Sequence, residues 1–356
     1  MKSAFLVLES GEVYAGLTSQ AHFEERAGEV VFNTSHFGYE EIATDPSYFS
    51  QIMVMTAPMQ GNYGVGKDHR ESSRLWIEGF VCLSIQNSAR EKSWQNQLEE
   101  SHVPLLHGVD TRALTRRLRV GGTPWGALVV APNENEALVK ARPLISSRKN
   151  RIPKDWVFEV SCKEICNHEG QFKMGPRLGI LDFGMKLNIL RESLHRSRQC
   201  IQFPCRTSAE DILEADLDGL ILSNGPGDPQ DVQVARATVE RLIGKLPLFG
   251  ICMGHQILAL ALGAQTYKLK FGHRGSNHPI KDDLLGRIYM TSQNHGYAVK
   301  RESLPGSIQV TQVNLNDQTV AGIFSLKREF WESNITPRVA LGRTIQKDYL
   351  IILFLK

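Results

Sequence analysis

A chain of 356 residues, 42% hydrophobic and 22% charged, has room for two domains with separate cores. A net charge of +3 without a basic block argues against a nucleic-acid partner, and no apolar run approaches the ~20 residues of a membrane span. Six cysteines are sparse for this length and suit reduced thiols in a cytoplasmic protein.

The opening stretch Met1–Glu9 lacks the small-residue cleavage pattern of a signal peptide. Ala4–Leu8, Val13–Leu17 and Val30–Asn33 read as short strands, and Thr34–Tyr48 as a turn-rich polar stretch in which Asp45-Pro46 fixes a turn. Ile52–Ala57 and Phe80–Leu83 read as further strands, with a glycine turn at Gln60–Gly64. Thr111–Arg119 reads as an amphipathic helix that Asp110 caps. Its arginine face fits a partner surface and a solvated face equally well. Trp125–Val130 closes a β-rich mixed domain, residues 1–161.

Residues 162–176 are polar, hold Gly170, Gly175 and Pro176, and show no period, so a linker is expected. Cys162 and Cys166 with His168 lack a second ligand pair, which favours surface thiols over zinc there. From Arg177 the pattern alternates. Strands are expected at Arg177–Leu181, Ile201–Phe203, Gly219–Leu222 and Leu246–Ile251. Helices are expected at Lys186–Arg198, Ala209–Ala215, Gln230–Leu242 and Gln256–Leu262. This is an α/β domain, residues 177–356, with a parallel sheet and catalytic groups at strand carboxyl ends.

Three turns fall at those ends: Asp182–Gly184, Ser223–Pro229 and the join at Cys252. Gly250-Ile-Cys252-Met-Gly254 has the spacing of a nucleophile elbow, with Cys in place of Ser. The helix N-terminus behind it favours the thiolate, and the free N–H of Met253 suits an oxyanion. An inert buried cysteine is the plainer reading, but two flanking glycines and the polar pair His255-Gln256 favour a nucleophile. Gly225 and Gly227 would present backbone groups to a small polar ligand, with the Gly227 N–H as a second oxyanion donor. Phe271–His278 and Ser292–Tyr297 read as polar glycine loops, and Asn294, Gly296 and Tyr297 suit a pocket cap. His273, His278 and His295 are each candidate bases, although for any single one a structural role fits better.

With these motifs, the chain resembles the small (glutaminase) subunit of glutamine-dependent carbamoyl-phosphate synthetase, a class I glutamine amidotransferase, up to about Leu326. Phe249–Gln256 is similar to the class I nucleophile motif and Ser223–Pro229 to its oxyanion turn. More specific to that subunit are Asn33-Thr-Ser35 with Gly38–Glu41, Thr44–Tyr48, Gly61–Gly64, Asp110–Arg116, Asp182–Gly184 with Lys186, Lys270–His273 and Gln293–Gly296.

The resemblance implies a thioester on Cys252, an oxyanion held by the Gly227 and Met253 N–H groups, and ammonia passed to a large subunit. It implies glutamine binding by Ser47, Gly225, Gly227, Met253, Gln256, Asn294, Gly296 and Tyr297. No cofactor is expected in this chain; the large subunit would use ATP, magnesium and bicarbonate. The first domain, with Arg112 and Arg116, would contact it, and such heterodimers would assemble further. The carbamoyl phosphate would serve arginine or pyrimidine synthesis.

The tail departs from this pattern. The family's general base and orienting carboxylate lie in a His-Pro-Glu segment, and no histidine follows His295 here. From about Arg328 the stretch is unlike the family and ends in an apolar run, Tyr349–Leu355. Read one base out of frame, from the third base of the Phe330 codon, Phe330/Trp331 must give Leu and Trp331/Glu332 must give Gly. The following pairs permit Val or Ile, then Gln-Tyr-His-Pro-Glu, then Ser-Ser-Pro-Gly-Pro. A frameshift near Lys327–Phe330 is therefore expected. Other readings are a catalytically impaired partner subunit, His278 or His295 as the base, and a stand-alone cysteine γ-glutamyl hydrolase.

Overall fold

The computed structural model describes residues 1–66, 69–88, 92–151, 154–325 and 330–333, which divide into two compact units at Lys154/Asp155. The first unit contains β1 (Lys2–Leu8), β2 (Val13–Thr18), β3 (Arg26–Asn33), α1 (Tyr39–Thr44), β4 (Gln51–Met55), β5 (Met59–Gln60) and β6 (Gly79–Val81). It continues with β7 (Ser84–Ile85), α2 (Trp94–Glu100), β8 (Leu105–Leu106), α3 (Thr111–Gly121), β9 (Trp125–Val130) and α4 (Glu134–Lys149). Its main sheet runs β2-β1-β9-β3-β4-β6-β8, antiparallel as far as β3 and parallel beyond it.

One face of this sheet packs on α4 through Ala137, Ala141 and Ile145. The other face buries Tyr39, Ala43, Trp94 and Leu98 of α1 and α2. The sequence reading lacked α2 and α4, and the expected polar stretch Thr34–Tyr48 contains α1 and a 3-10 turn at Pro46–Tyr48. Helix α4 has a weak apolar period and carries Pro143. Its ends hold it instead: Asn133 caps the Glu136 N–H, acids fill the first turn, and Arg148 and Lys149 close the last.

Helix α3 follows its pattern, with Leu114 and Leu118 buried and Arg112, Arg116 and Arg119 exposed. The Asp110 carboxylate accepts from the Ala113 N–H at 2.9 Å. Asp110→Ala is expected to cost about 1 kcal/mol of stability, measurable by denaturant melts.

The second unit holds α5 (Trp156–Val160), β10 (Cys166–Glu169), β11 (Arg177–Asp182), α6 (Leu187–Leu194), β12 (Gln199–Pro204), α7 (Ala209–Glu214), β13 (Gly219–Leu222) and α8 (Gln233–Leu242). It continues with β14 (Leu248–Ile251), α9 (Met253–Ala261), β15 (Thr266–Asp282), β16 (Arg287–Val299), β17 (Gln309–Asn314), β18 (Val320–Ser325) and β19 (Phe330–Ser333). The sheet order is β10-β12-β11-β13-β14-β19-β18-β17-β15-β16, and β12-β11-β13-β14-β19 is parallel.

Both faces of the parallel part are covered, as a βα alternation requires. Leu181, Leu220, Leu222 and Leu248 meet α7, α8 and α9. Ile180, Ile221, Phe249 and Ile251 meet Ile189 and Leu190 of α6.

Two expectations need correction here. The stretch 162–176, expected as a linker, carries β10, which pairs antiparallel with β12 at the sheet edge. Residues 155–176 therefore belong to the second unit. An edge strand with polar residues outward has no period to distinguish it from a loop. The second correction concerns Phe271–His278 and Ser292–Tyr297. They are not loops but parts of the long hairpin β15–β16, which has register breaks at Lys268/His273 and Gly275/His278. The tail from 328 lies outside the described residues except for β19. No helix among the described residues is long and apolar enough to cross a membrane.

Candidate active site

Cys252 stands between β14 and α9 with φ 52° and ψ −102°, a conformation that costs energy for any residue with a side chain. The chain is forced through it by close packing on both sides. A Cβ on Gly250 would lie 2.7 Å from the backbone of Gly254 and His255, and one on Gly254 would lie 2.1 Å from the Leu222 carbonyl oxygen. Only glycine lets α9 start this close to β13. The Gly254 N–H donates to the Ser223 carbonyl at 3.0 Å, fastening the elbow to the neighbouring turn. The helix begins at Met253, earlier than the sequence suggests, so the Met253 N–H is in its first turn, where amides have no partner within the helix.

The three expected turns meet at the strand ends. Asp182 Oδ1 accepts from the Gly184 and Met185 N–H groups at 2.8 and 2.7 Å, and Oδ2 from the Cys162 N–H and Gln202 Nε2 at 2.9 and 2.7 Å. The Phe183 N–H donates to Ser223 Oγ at 2.8 Å. Asn224 receives the Lys186 N–H at 3.1 Å and donates to the Gly184 carbonyl at 2.9 Å. A Cβ on Gly225 would strike the Phe183 carbonyl at 2.1 Å, so the two turns interlock only with glycine there. Gly227 has φ 92° and lies against the Trp156 ring.

On the other side of Cys252 lies β16. Cys252 Sγ is 3.5 Å from the Asn294 carbonyl oxygen. Gln256, on α9, donates through Nε2 to the Tyr297 carbonyl at 2.9 Å. The Asn294 side-chain Nδ2 is buried and has no hydrogen-bond partner among the described residues. A buried amide donor without a partner is costly unless a ligand takes its hydrogens. Cys252, Met253, Gln256, Asn294 and Tyr297 thus converge. Ser47 belongs to the first unit, on the 3-10 turn that Asp45 caps through the Ser47 N–H at 2.9 Å.

The histidines named as candidate bases are engaged elsewhere. His295 Nδ1 donates to the Tyr297 carbonyl at 2.8 Å, and its Nε2 lies 3.0 Å from the Gln293 amide. His278 Nδ1 faces Asn314 at 3.4 Å. His273 lies between Gln293 and Asp317, at 2.9 and 2.7 Å. Sequence reasoning missed Asp317 and Asn314; the Asp-x-Thr spacing of Asp317 and Thr319 was the one available sign. No group of three or more His, Cys, Asp or Glu residues among the described residues is arranged to hold a metal.

These buried rings make the fold acid-sensitive. Burial holds His255 down to about 3. Burial, then the neighbouring His273, holds His278 down to about 4. Burial also keeps His295 well below its ordinary value. Once unfolded, each ring titrates near ~6.5. Below that pH the unfolded chain takes up protons that the folded chain refuses. Stability is therefore full above about 6.5 and falls as the pH drops toward 4. Calorimetry is expected to show Tm falling over that window with proton uptake on unfolding. A level Tm would contradict neutral burial.

Residues 179–333 match the family model "Glutamine amidotransferase class-I", and residues 6–128 match "Carbamoyl-phosphate synthase small chain, CPSase domain". A carbamoyl phosphate synthase small chain from Fusobacterium nucleatum is 42% identical over 95% of this chain and 93% of its own length. The protein of that name from Clostridium perfringens is 40% identical over 99% of both chains, and that from Bacillus caldolyticus is 45% identical over 89% and 86%. Among solved structures, a glutamine amidotransferase from Thermotoga maritima is 20% identical, with a TM-score of 0.36 over 45% of this chain and 74% of its own. The chain belongs to the carbamoyl phosphate synthase small-chain family.

Proposed function

We propose that this chain is built to hydrolyse glutamine at Cys252 and to deliver the ammonia to a large synthetase subunit. The strained elbow carries this reading: it fixes a thiol between a helix N-terminus, a glycine turn and the unpartnered Asn294 amide. Cys252 Sγ attacks the glutamine carboxamide carbon, the Gly227 and Met253 N–H groups receive the oxyanion, and ammonia leaves a γ-glutamyl thioester that water then cleaves. Gly225, Gln256, Asn294, Gly296 and Tyr297 hold the glutamine. The large subunit uses ATP, magnesium and bicarbonate to form carbamoyl phosphate, and the exposed arginines of α3, Arg112 and Arg116, belong to the face that meets it. Such a complex would work in the cytoplasm.

As written, the chain lacks the group that takes the thiol proton. The frameshift explains this. Strand β19 runs parallel to β14 with Ser333 opposite Ile251, the residue before Cys252. Counted in the shifted frame, the histidine of Gln-Tyr-His-Pro-Glu falls about three residues past Ser333 in sequence, beyond the described residues, with the carboxylate two residues later. The printed sequence is then a nearly inactive glutaminase that retains its partner-binding domain.

A second reading is favoured by the same absence: a subunit that stabilises a synthetase running on free ammonia. Assays of carbamoyl phosphate formation with a large subunit separate the two. With the shifted-frame tail restored, a glutaminase supports synthesis from glutamine, and Cys252→Ser in that restored chain removes it while synthesis from ammonia persists. If synthesis runs only on ammonia before and after the substitution, the second reading holds. Failure to engage any large subunit would leave a stand-alone hydrolase.

A further inference from the structure

A hydrogen-bonded chain runs from the β17–β18 turn to the nucleophile helix. Asp317 Oδ1 accepts the Thr319 hydroxyl at 2.8 Å and its N–H at 3.2 Å. Asp317 Oδ2 lies 2.7 Å from His273 Nε2, and His273 Nδ1 lies 2.9 Å from the Gln293 side-chain amide. The same end of that amide is 3.0 Å from His295 Nε2. His295 Nδ1 donates to the Tyr297 carbonyl at 2.8 Å, and Gln256 Nε2 donates to that oxygen at 2.9 Å. The β17–β18 turn, strands β15 and β16, and α9 are joined by five consecutive links.

The protons in this chain are countable. A ring whose two nitrogens both face acceptors must be a cation. If the Gln293 oxygen faced both rings, buried His295, whose Nδ1 already meets the Tyr297 carbonyl, would have to be a cation 4.8 Å from the His273 ring, and His273 Nδ1 would be left with only the Asn314 Nδ2 hydrogen at 3.3 Å. A half-turn of the amide removes the conflict: its NH₂ has one hydrogen for each ring, and Asn314 Nδ2, 3.3 Å from His273 Nδ1, then gives its hydrogen to His278 Nδ1 at 3.4 Å. The amide oxygen then faces the Thr291 hydroxyl at 3.2 Å, which rotates to donate. His295 becomes a neutral ring protonated on Nδ1. His273 becomes a neutral ring protonated on Nε2, and Asp317 accepts that proton.

We infer that Asp317 is a positioning residue for the glutamine site: through His273, Gln293 and His295 it fixes the height of the row Asn294–Tyr297 against α9. The inference rests on the glutaminase reading for what the row holds, but the proton arrangement stands without it. Asp317 acts through His273, its hydrogen bonds going to that ring and to Thr319. It selects which nitrogen of His273 carries the proton, and each later partner is then left one arrangement.

Two measurements on the full chain test this. Nitrogen-15 spectra of histidine-labelled protein at pH 7 are expected to show His295 as the Nδ1–H tautomer and His273 as the Nε2–H tautomer. Two imidazolium signals, or the opposite tautomers, would overturn the inference without any variant. Calorimetric titration with glutamine is the second. Asp317→Leu is expected to weaken binding by about tenfold and to scramble the His273 tautomer, while Asp317→Asn, which keeps an oxygen for His273, stays within about threefold. Binding by the unsubstituted chain that Asp317→Leu leaves unchanged refutes the positioning role. If the unsubstituted chain does not bind glutamine, the proposed function fails instead, and the tautomers still decide the proton chain.

Discussion

Replacing the residues after Phe330 with Leu-Gly-Val-Gln-Tyr-His-Pro-Glu-Ser-Ser-Pro-Gly-Pro is expected to raise glutamine hydrolysis by on the order of 10³-fold or more. The estimate follows from how triads behave: with the nucleophile in place and the base missing, oxyanion donors and substrate binding alone remain. The proposed donors, the Met253 and Gly227 N–H groups, are in place without the tail, and β19 pairs parallel with β14, Ser333 opposite Ile251. A graft with Asn in place of its histidine should fall back to the level of the chain as written, which separates base catalysis from mere completion of the fold. Full glutaminase turnover by the chain as written would sink the frameshift hypothesis and return attention to His278 and His295. Sequencing the gene from the Leu326 codon to its stop tells whether the shift is in the gene or in its reading.

The second large effect is expected at Gly254. Its added Cβ meets the Leu222 carbonyl at 2.1 Å, and that atom belongs to β13, which is hydrogen-bonded on both sides. No side-chain rotation relieves the clash, so α9 must move away from the sheet and take Cys252 and Gln256 with it. Gly254→Ala should cost about 3 kcal/mol or more, and with it glutamine binding. A Tm loss of roughly 6–12 °C corresponds to that figure in a unit of this size. Gly306→Ala is the control: its Cβ meets nothing within 4 Å. An unchanged Tm and unchanged glutamine binding in Gly254→Ala would mean the elbow is not as tight as drawn.

Strands β11 to β14 of the second unit were legible because each holds a short apolar run closed by a turn, and Gly250 and Gly254 mark the elbow by position alone. The hairpin β15–β16 was not. Its histidines, Asn294 and Gln293 look like loop residues, since polarity is the usual mark of a loop. Here His273, Gln293 and His295 satisfy one another inside the sheet, and a sequence does not show who pairs with whom. Helix α4 was missed for a different reason. Pro143 and a faint period speak against a helix, while its caps and the three buried residues Ala137, Ala141 and Ile145 hold it on the sheet. The strand order was beyond reach as well, because β19 enters between β14 and β18 after four intervening strands.

That late entry bears on synthesis. Strand β14 is apolar along its whole length and uncharged, and one of its edges is completed only by β19. Roughly 80 residues separate the two, so at 5–20 residues per second a ribosome leaves that edge open for about 4–16 s. During this interval the nascent chain carries a bare, sticky strand next to its reactive thiol. The codons that follow Ser325 therefore govern how safely the polypeptide leaves the ribosome, independently of any chemistry they encode. A chain terminated before β19 should accumulate in inclusion bodies even with every glutamine-binding residue of the second unit already made.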